Sequence, residues 1–318
     1  MKNDTKKLIF VPFAFDSSKQ SGINISHHTN KLAVYMKNAC NALVSAKKNN
    51  PENEVALVTN LKEDDLPSFA SKVLNKNSIK IINVQYDRFV FPANYGWSLA
   101  FYKLCALSYL IESDKYDYFV WLDSDVWVQG SFEAIWKECE YELLLYDINH
   151  GLNTINYQIL CDEINSFSKD NGYLTHYGGE FFAANKDIAG EFVNIAEKIY
   201  KQMIHTGFIT TKGDEFITSI CAKQMKIKVK NAGAYINRYW TCGIRLVSTS
   251  YKNNRVLILH VPDEKEIGML KLFNSYISLG KMPSDKVVWR QLGLSRAHSL
   301  RTIKVQIARF WSKIKGGL

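Results

Sequence analysis

The chain has 318 residues, 47% of them hydrophobic and 22% charged, which is enough for one large domain or one domain with an appendage. No apolar run approaches the roughly 18 residues that a membrane span needs. The net charge of +9 is concentrated after Asp285, where eight basic residues occur with no acidic one, leaving about +1 for the rest. A near-neutral body with a basic tail excludes a uniformly basic nucleic-acid binder, and we expect no nucleic-acid partner.

In chain order, lysines before a short apolar stretch imitate a signal peptide at the N-terminus. The stretch contains Pro12 and runs into Asp16 without a small-residue cleavage site, so Leu8 to Phe15 is read as a first buried strand. Apolar residues at Leu32, Met36, Ala39, Cys40, Leu43 and Val44 predict a helix over Lys31 to Ala46. Glu54 to Thr59 and Ile79 to Val84 read as strands, Trp97 to Ile111 as a helix, and Tyr118 to Leu122 as a strand buried on both faces. This series predicts an α/β fold, with a mostly parallel, Rossmann-like sheet flanked by helices. Further strands are expected at Tyr141 to Tyr146, Glu180 to Ala184 and Arg255 to His260. Helices are expected at Ser131 to Cys139, Lys186 to Met203 and Asp214 to Gln224. The polar stretch from His150 to His176 reads as a functional insertion with one short helix at Tyr157 to Phe167. Six cysteines without a Cys-X-X-Cys pair read as reduced core thiols of a cytoplasmic protein.

The chemistry concentrates at Asp123-Ser124-Asp125, which interrupts the apolar run Tyr118 to Val128. Buried carboxylates are costly unless something uses them. In open α/β sheets ligands bind beyond the carboxyl ends of the strands. Closely spaced oxygen ligands there suit Mg²⁺ or Mn²⁺, which can neutralise a departing diphosphate. The bland alternative is a surface turn whose Asp residues cap the following helix.

The order of these features resembles the GT-A nucleotide-sugar glycosyltransferases, in particular the family of glycogenin and the bacterial lipopolysaccharide galactosyl- and glucosyltransferases. Over Ser98 to Trp136 the likeness rests on Tyr102-Lys103-Leu104, Asp123-Ser124-Asp125 and Ser131 to Trp136. Farther on it rests on Gly178-Gly179-Glu180-Phe181-Phe182, Gly213-Asp214-Glu215 and Leu257-Ile258-Leu259-His260. The family's Gly and Lys-Pro-Trp after that histidine are replaced by Val261-Pro262-Asp263-Glu264-Lys265.

The resemblance implies a GT-A catalytic domain over 1–285, with a nucleotide-sugar half over about 1–130 and an acceptor half over about 131–285. It implies a UDP-sugar donor, a glycan or glycolipid acceptor in surface polysaccharide or lipopolysaccharide synthesis, and Asp123, Asp125 and His260 as metal ligands. Lys103 is then a phosphate contact or merely the polar face of its helix. Asp214 and Glu215 are candidate bases or acceptor-positioning groups, or carboxylates favoured by the helix dipole. Glu180 faces the sugar or ends a strand. Asp87 is a candidate base or ribose contact, and Tyr95, Trp97 and Trp240 are stacking candidates or core. A sugar nucleotidyltransferase is the alternative enzyme, although only Gly22 lies in the stretch where its Gly-rich phosphate loop would fall. A non-catalytic carbohydrate-binding domain is the other alternative. Residues 286–318 read as a basic tail. Its apolar positions Leu300, Ile303, Ile307, Phe310, Trp311 and Ile314 form one face of an amphipathic helix. Such a helix suits the anionic inner face of a membrane, or packs on the domain with its basic face solvated.

Overall fold

The order of secondary elements along the chain explains why two carboxylates end a buried strand. A computed structural model describes residues 5–16, 30–92, 95–169, 172–241 and 256–294, with Lys304, Ile307, Ala308, Phe310 and Trp311. The first half runs β1 (Lys7–Phe13), α1 (Lys31–Asn49), β2 (Glu54–Thr59), α2 (Ser68–Lys76), β3 (Lys80–Asn83), α3 (Tyr102–Glu112) and β4 (Tyr118–Leu122). Then follow β5 (Val126–Val128), α4 (Glu133–Glu138), β6 (Leu143–Asp147), α5 (Ile155–Ser168), β7 (Tyr177–Asn185), α6 (Lys186–Thr206) and α7 (Asp214–Gln224). The last elements are β8 (Val229–Asn231), β9 (Ile236–Arg238), β10 (Ile258–His260), α8 (Gly268–Ser275) and α9 (Asp285–Gln291).

Seven strands form a sheet in the order β3-β2-β1-β4-β7-β6-β8. β7 alone runs against its neighbours, and the other pairings are parallel. The expected mostly parallel, Rossmann-like sheet is therefore present. The chain builds outward from β1 to β3 and then returns to the other side of β1 with β4. The strand order reverses between β1 and β4, and open α/β sheets bind ligands at such a reversal.

Alternate residues of each central strand enter two different cores, which is why these strands carry no polar face. Ile9, Val11, Val120 and Leu122 face the layer of α1, α2 and α8. Leu8, Phe10, Phe119 and Trp121 face the layer of α3, α6 and α7. Trp121 stacks on Phe182 of β7 with ring centres 4.4 Å apart. Side-chain caps start the helices where the sequence turns polar: Asn30 accepts from Ala33 N at α1, and Asn185 accepts from Ile188 N at α6.

The helix expected from Trp97 begins only at Tyr102, with turns over 97–101. α5 is longer than expected, and α2, α8, β8 and β9 were not anticipated. The boundary expected at 285 falls inside packed structure. Val288, Leu292 and Leu294 belong to the core, and Trp289 donates to Gln129 Oε1 at 3.0 Å. The globular part thus continues to Leu294. Beyond it the described residues Lys304, Ile307, Ala308, Phe310 and Trp311 are helical and exposed. The rest of the expected tail helix lies outside the described residues. Among the described residues no helix is long and apolar enough to cross a membrane, and Cys40, Cys105, Cys139, Cys161 and Cys221 are free thiols.

Candidate functional site

Asp123-Ser124-Asp125 is the crossing between two sheets. β4 belongs to the large sheet, while β5 belongs to a second sheet of order β5-β10-β9. In that sheet the register places Val126 opposite His260, and His260 opposite Arg238. Strand pairing therefore delivers His260 to Asp125 across a long sequence separation, and Val261 N donates to Asp125 O at 3.1 Å. On the other side β7 pairs with β4, and Asp123 N donates to Glu180 O at 3.0 Å.

Asp123, Asp125 and His260 each offer a ligand atom, and these atoms lie within 4.8 Å of one another. Asp125 is 2% exposed. Its Oδ2 lies 2.6 Å from Lys265 Nζ and 3.3 Å from His260 Nε2, yet it receives no well-directed hydrogen bond. A buried carboxylate oxygen with charge nearby but no directed donor is a fitting cation ligand. His260 donates from Nδ1 to Glu180 Oε1 at 3.1 Å, which leaves Nε2 on the side of Asp125. A carboxylate behind a ligating imidazole is the usual way of fixing its tautomer and orientation. Burial disfavours charge on His260, but Asp125 and Glu180 outweigh it and push the pKa up to about 9. Without a cation these two carboxylates favour the imidazolium, with protons on both ring nitrogens.

Glu180 is expected either to face a sugar or to end a strand. Its side chain is wholly buried within β7 and takes a two-pronged pair from Arg238, at 2.7 Å to each oxygen. Burial opposes its charge, but Arg238 and His260 hold its carboxyl well below the usual range. The two preceding glycines are required by close approach. A Cβ on Gly178 would overlap the Glu180 carboxylate, and one on Gly179 would overlap Asp214 Oδ2 and come within 2.8 Å of Lys103 Nζ.

Lys103, on α3, bonds to Gly179 O at 2.8 Å and Asp214 Oδ2 at 2.9 Å, and pairs with Asp123 Oδ1 at 2.8 Å. All three of its donors have protein partners, so a phosphate contact requires one of them to yield. Asp214 is the first residue of α7, after Gly213 in a left-handed conformation (φ +61°) against the ring of Trp97. Burial, opposed by Lys103 and aided by Asp123, raises the Asp214 pKa to about 6. Glu215 next to it accepts from Arg238 at 3.2 Å and from His176 Nε2 at 3.0 Å. Asn149 donates to His176 Nδ1 at 3.0 Å and itself accepts from Thr154 at 3.0 Å, which fixes that tautomer. Burial again opposes its charge, but His176 and Arg238 keep the Glu215 carboxyl below its ordinary value. The adjacent carboxylates are thus tuned apart, one near neutrality and one firmly ionised.

Five carboxylates (Asp123, Asp125, Glu180, Asp214, Glu215) face three cationic side chains, Lys103, Arg238 and Lys265. With His260 neutral, a divalent cation would balance the remainder.

Beside this centre lies a cleft of about 530 Å³ at the carboxyl ends of β1, β2 and β3. Phe15, Asn60, Leu61, Gln85, Tyr86 and Leu32 are among its lining residues. Leu32 and Tyr35 lie three residues apart near the start of α1, on one face of the helix. The pKa of the Tyr35 hydroxyl is raised first by burial and then by the charges of Asp125 and Asp123. Asp87 does not line the cleft. It is exposed and accepts from Tyr109 OH at 2.7 Å, while the two residues before it form the wall. Tyr95 is core, with its hydroxyl on Thr210 O at 2.7 Å, and Trp97 is 37% exposed. Trp240 is half-buried.

Arg238, His176, Asn149 and Lys265 went unrecognised in the sequence. Arg238 sits in a three-residue strand too short to show alternation, His176 is the last residue of the stretch read as an insertion, and Asn149 lies just before that stretch. Lys265 carried no signal of its own, being one basic residue in a short polar stretch after His260. No protein-family model matches the chain, and no curated protein matches its sequence.

Proposed function

We propose that the chain is a metal-dependent GT-A glycosyltransferase. It would move a sugar from a nucleotide diphosphate, expected to be UDP, to a glycan or glycolipid acceptor of surface polysaccharide or lipopolysaccharide. The observation that carries this reading is the Asp123, Asp125 and His260 set at the strand-order reversal, beside a cleft at the ends of β1 to β3. A strand-end cleft with amide and aromatic walls suits a nucleoside, and the adjoining acidic set suits Mn²⁺ or Mg²⁺ beneath its diphosphate.

In the reaction the bond from the anomeric carbon to the diphosphate oxygen breaks, and a bond to an acceptor hydroxyl oxygen forms as the hydroxyl loses its proton. When bound, a divalent cation supplies a Lewis-acidic contact to the leaving diphosphate. Asp123, Asp125 and His260 would hold that cation, with Glu180 fixing the orientation of His260. Asp214, with a pKa near neutrality, is the carboxylate of suitable strength to accept the hydroxyl proton. Glu215, ionised and held by His176 and Arg238, positions acceptor hydroxyls. The basic tail, with Ile307, Phe310 and Trp311 exposed, would bring the enzyme to an anionic membrane where a lipid-linked acceptor resides.

The test is incubation with Mn²⁺ and a panel of nucleotide sugars, following slow donor hydrolysis and nucleotide binding. Hydrolysis of one donor, abolished by chelation and in both Asp123→Ala and Asp125→Ala, is expected. Near-wild-type turnover in either variant at saturating Mn²⁺ would overturn the metal assignment. Absence of both hydrolysis and nucleotide binding would favour a carbohydrate-binding role.

A further inference from the structure

Lys265 and Lys103 are both ammonium groups beside the same pair of aspartates, but they are built differently. Lys103 is locked by three partners: a carbonyl and two carboxylates. Among the described residues, Lys265 Nζ has one ion pair, to Asp125 Oδ2 at 2.6 Å. That oxygen is the one that lacks a directed hydrogen bond and lies on the His260 Nε2 side. The ammonium of Lys265 therefore stands where Asp125 would meet a cation.

The backbone carrying Lys265 is fixed. Its carbonyl accepts from the buried Asn38 of α1 at 3.1 Å. The neighbouring Glu264, 1% exposed, is held by Gly268 N at 3.0 Å and Thr241 Oγ1 at 2.6 Å. Only the four-carbon stem can move the charge, and a lysine stem is flexible. A divalent cation and an ammonium cannot both crowd one carboxylate oxygen, because like charges repel strongly where water is scarce.

We infer that Lys265 is a cationic placeholder, which neutralises Asp125 while the site lacks metal and surrenders that oxygen when a divalent cation and a diphosphate arrive together. The inference rests on the metal and nucleotide reading above. Lys265 makes metal alone bind weakly, since the displaced ammonium has no anion to meet. A diphosphate provides that anion. Metal and nucleotide then raise each other's affinity by one shared factor, as linkage requires.

The experiment titrates Mn²⁺ into wild type, Lys265→Met and Lys265→Arg, with and without UDP, reading free Mn²⁺ by its electron paramagnetic resonance signal. In Lys265→Met, Mn²⁺ alone binds about 10-fold more tightly, and the gain in Mn²⁺ affinity on adding UDP shrinks about 10-fold. Lys265→Arg, which keeps the charge, follows wild type. Circular dichroism confirms folding, and Lys265→Gln replaces the methionine variant if that one is unfolded. Mn²⁺ binding alone that is unchanged or weaker in the folded neutral variant overturns the placeholder while leaving the metal site standing. Wild type that takes up no Mn²⁺ even with UDP overturns the metal reading itself, and the placeholder with it.

Discussion

Asp214 and Glu215 are neighbours with the same chemistry and opposite electrostatic surroundings. The Asp214 pKa of about 6 lies above the usual carboxylate value of about 4, because burial disfavours its charge more than Lys103 favours it. The sign for stability follows from linkage. Protonated Asp214 costs the fold nothing, so wild type carries no penalty from this group below about pH 4 and loses stability as pH rises through 6. Asp214→Asn has no such loss. Its stability relative to wild type should improve by on the order of 2 kcal/mol between pH 4 and pH 7. Urea unfolding across that range measures it, and parallel profiles for the two proteins would show that Asp214 titrates normally. A carboxylate that destabilises its own fold at working pH is a mark of a functional site.

Among the elements, β7 does the most to assemble the site. It passes antiparallel between β4 and β6, and its first residues bring Gly178, Gly179 and Glu180 against Lys103, Asp214, Arg238 and His260. Gly179→Ala should therefore cost about 1–3 kcal/mol through overpacking and remove donor hydrolysis, since Asp214 cannot retreat without leaving Lys103, nor Lys103 without leaving Asp123. Gly190 is the contrast. It lies within α6, and a Cβ there meets nothing within 4 Å. Gly190→Ala should stabilise by about 0.5–1 kcal/mol, because alanine loses less backbone entropy in a helix, and should leave hydrolysis intact. Thermal unfolding and a donor-hydrolysis assay on both variants check the pair. Equal effects of the two changes would mean that β7 does not press on the site.

At the scale of the whole molecule, the core among the described residues reaches Leu294, and six of the basic residues follow it in the sequence. The described apolar side chains beyond that point are exposed, with Ile307 at 52%, Phe310 at 64% and Trp311 at 56%. Truncation after Leu294 removes none of the proposed metal ligands, so donor hydrolysis should persist. Binding to anionic vesicles should fall sharply, since each basic residue near an anionic surface contributes about 1 kcal/mol. Binding of the full chain should also weaken with salt. Co-sedimentation at low and high salt, on anionic and neutral lipid, measures this. Equal sedimentation of both forms would remove the membrane role.

The alternation of strand and helix signals determined the α/β class, since a run such as Tyr118 to Leu122 is stable only when helices cover both faces of its sheet. Two carboxylates at the end of that run located the metal candidate, because burial there is costly without a cation. The start of α7 at Asp214 was legible as an acidic helix entry. The partners of these groups were not legible. That His260 meets Asp125 follows from the register of a second, three-stranded sheet, and a three-residue strand leaves no periodic trace. That Glu180 turns inward to His260 and Arg238, and not toward a ligand, depends on which side of β7 meets the small sheet. Lys265 reaches Asp125 because Asn38 of α1 holds its carbonyl in place, while Gly268 at the start of α8 holds the neighbouring Glu264. Local sequence sets propensity and burial, but charge pairing depends on distances that only long-range packing creates.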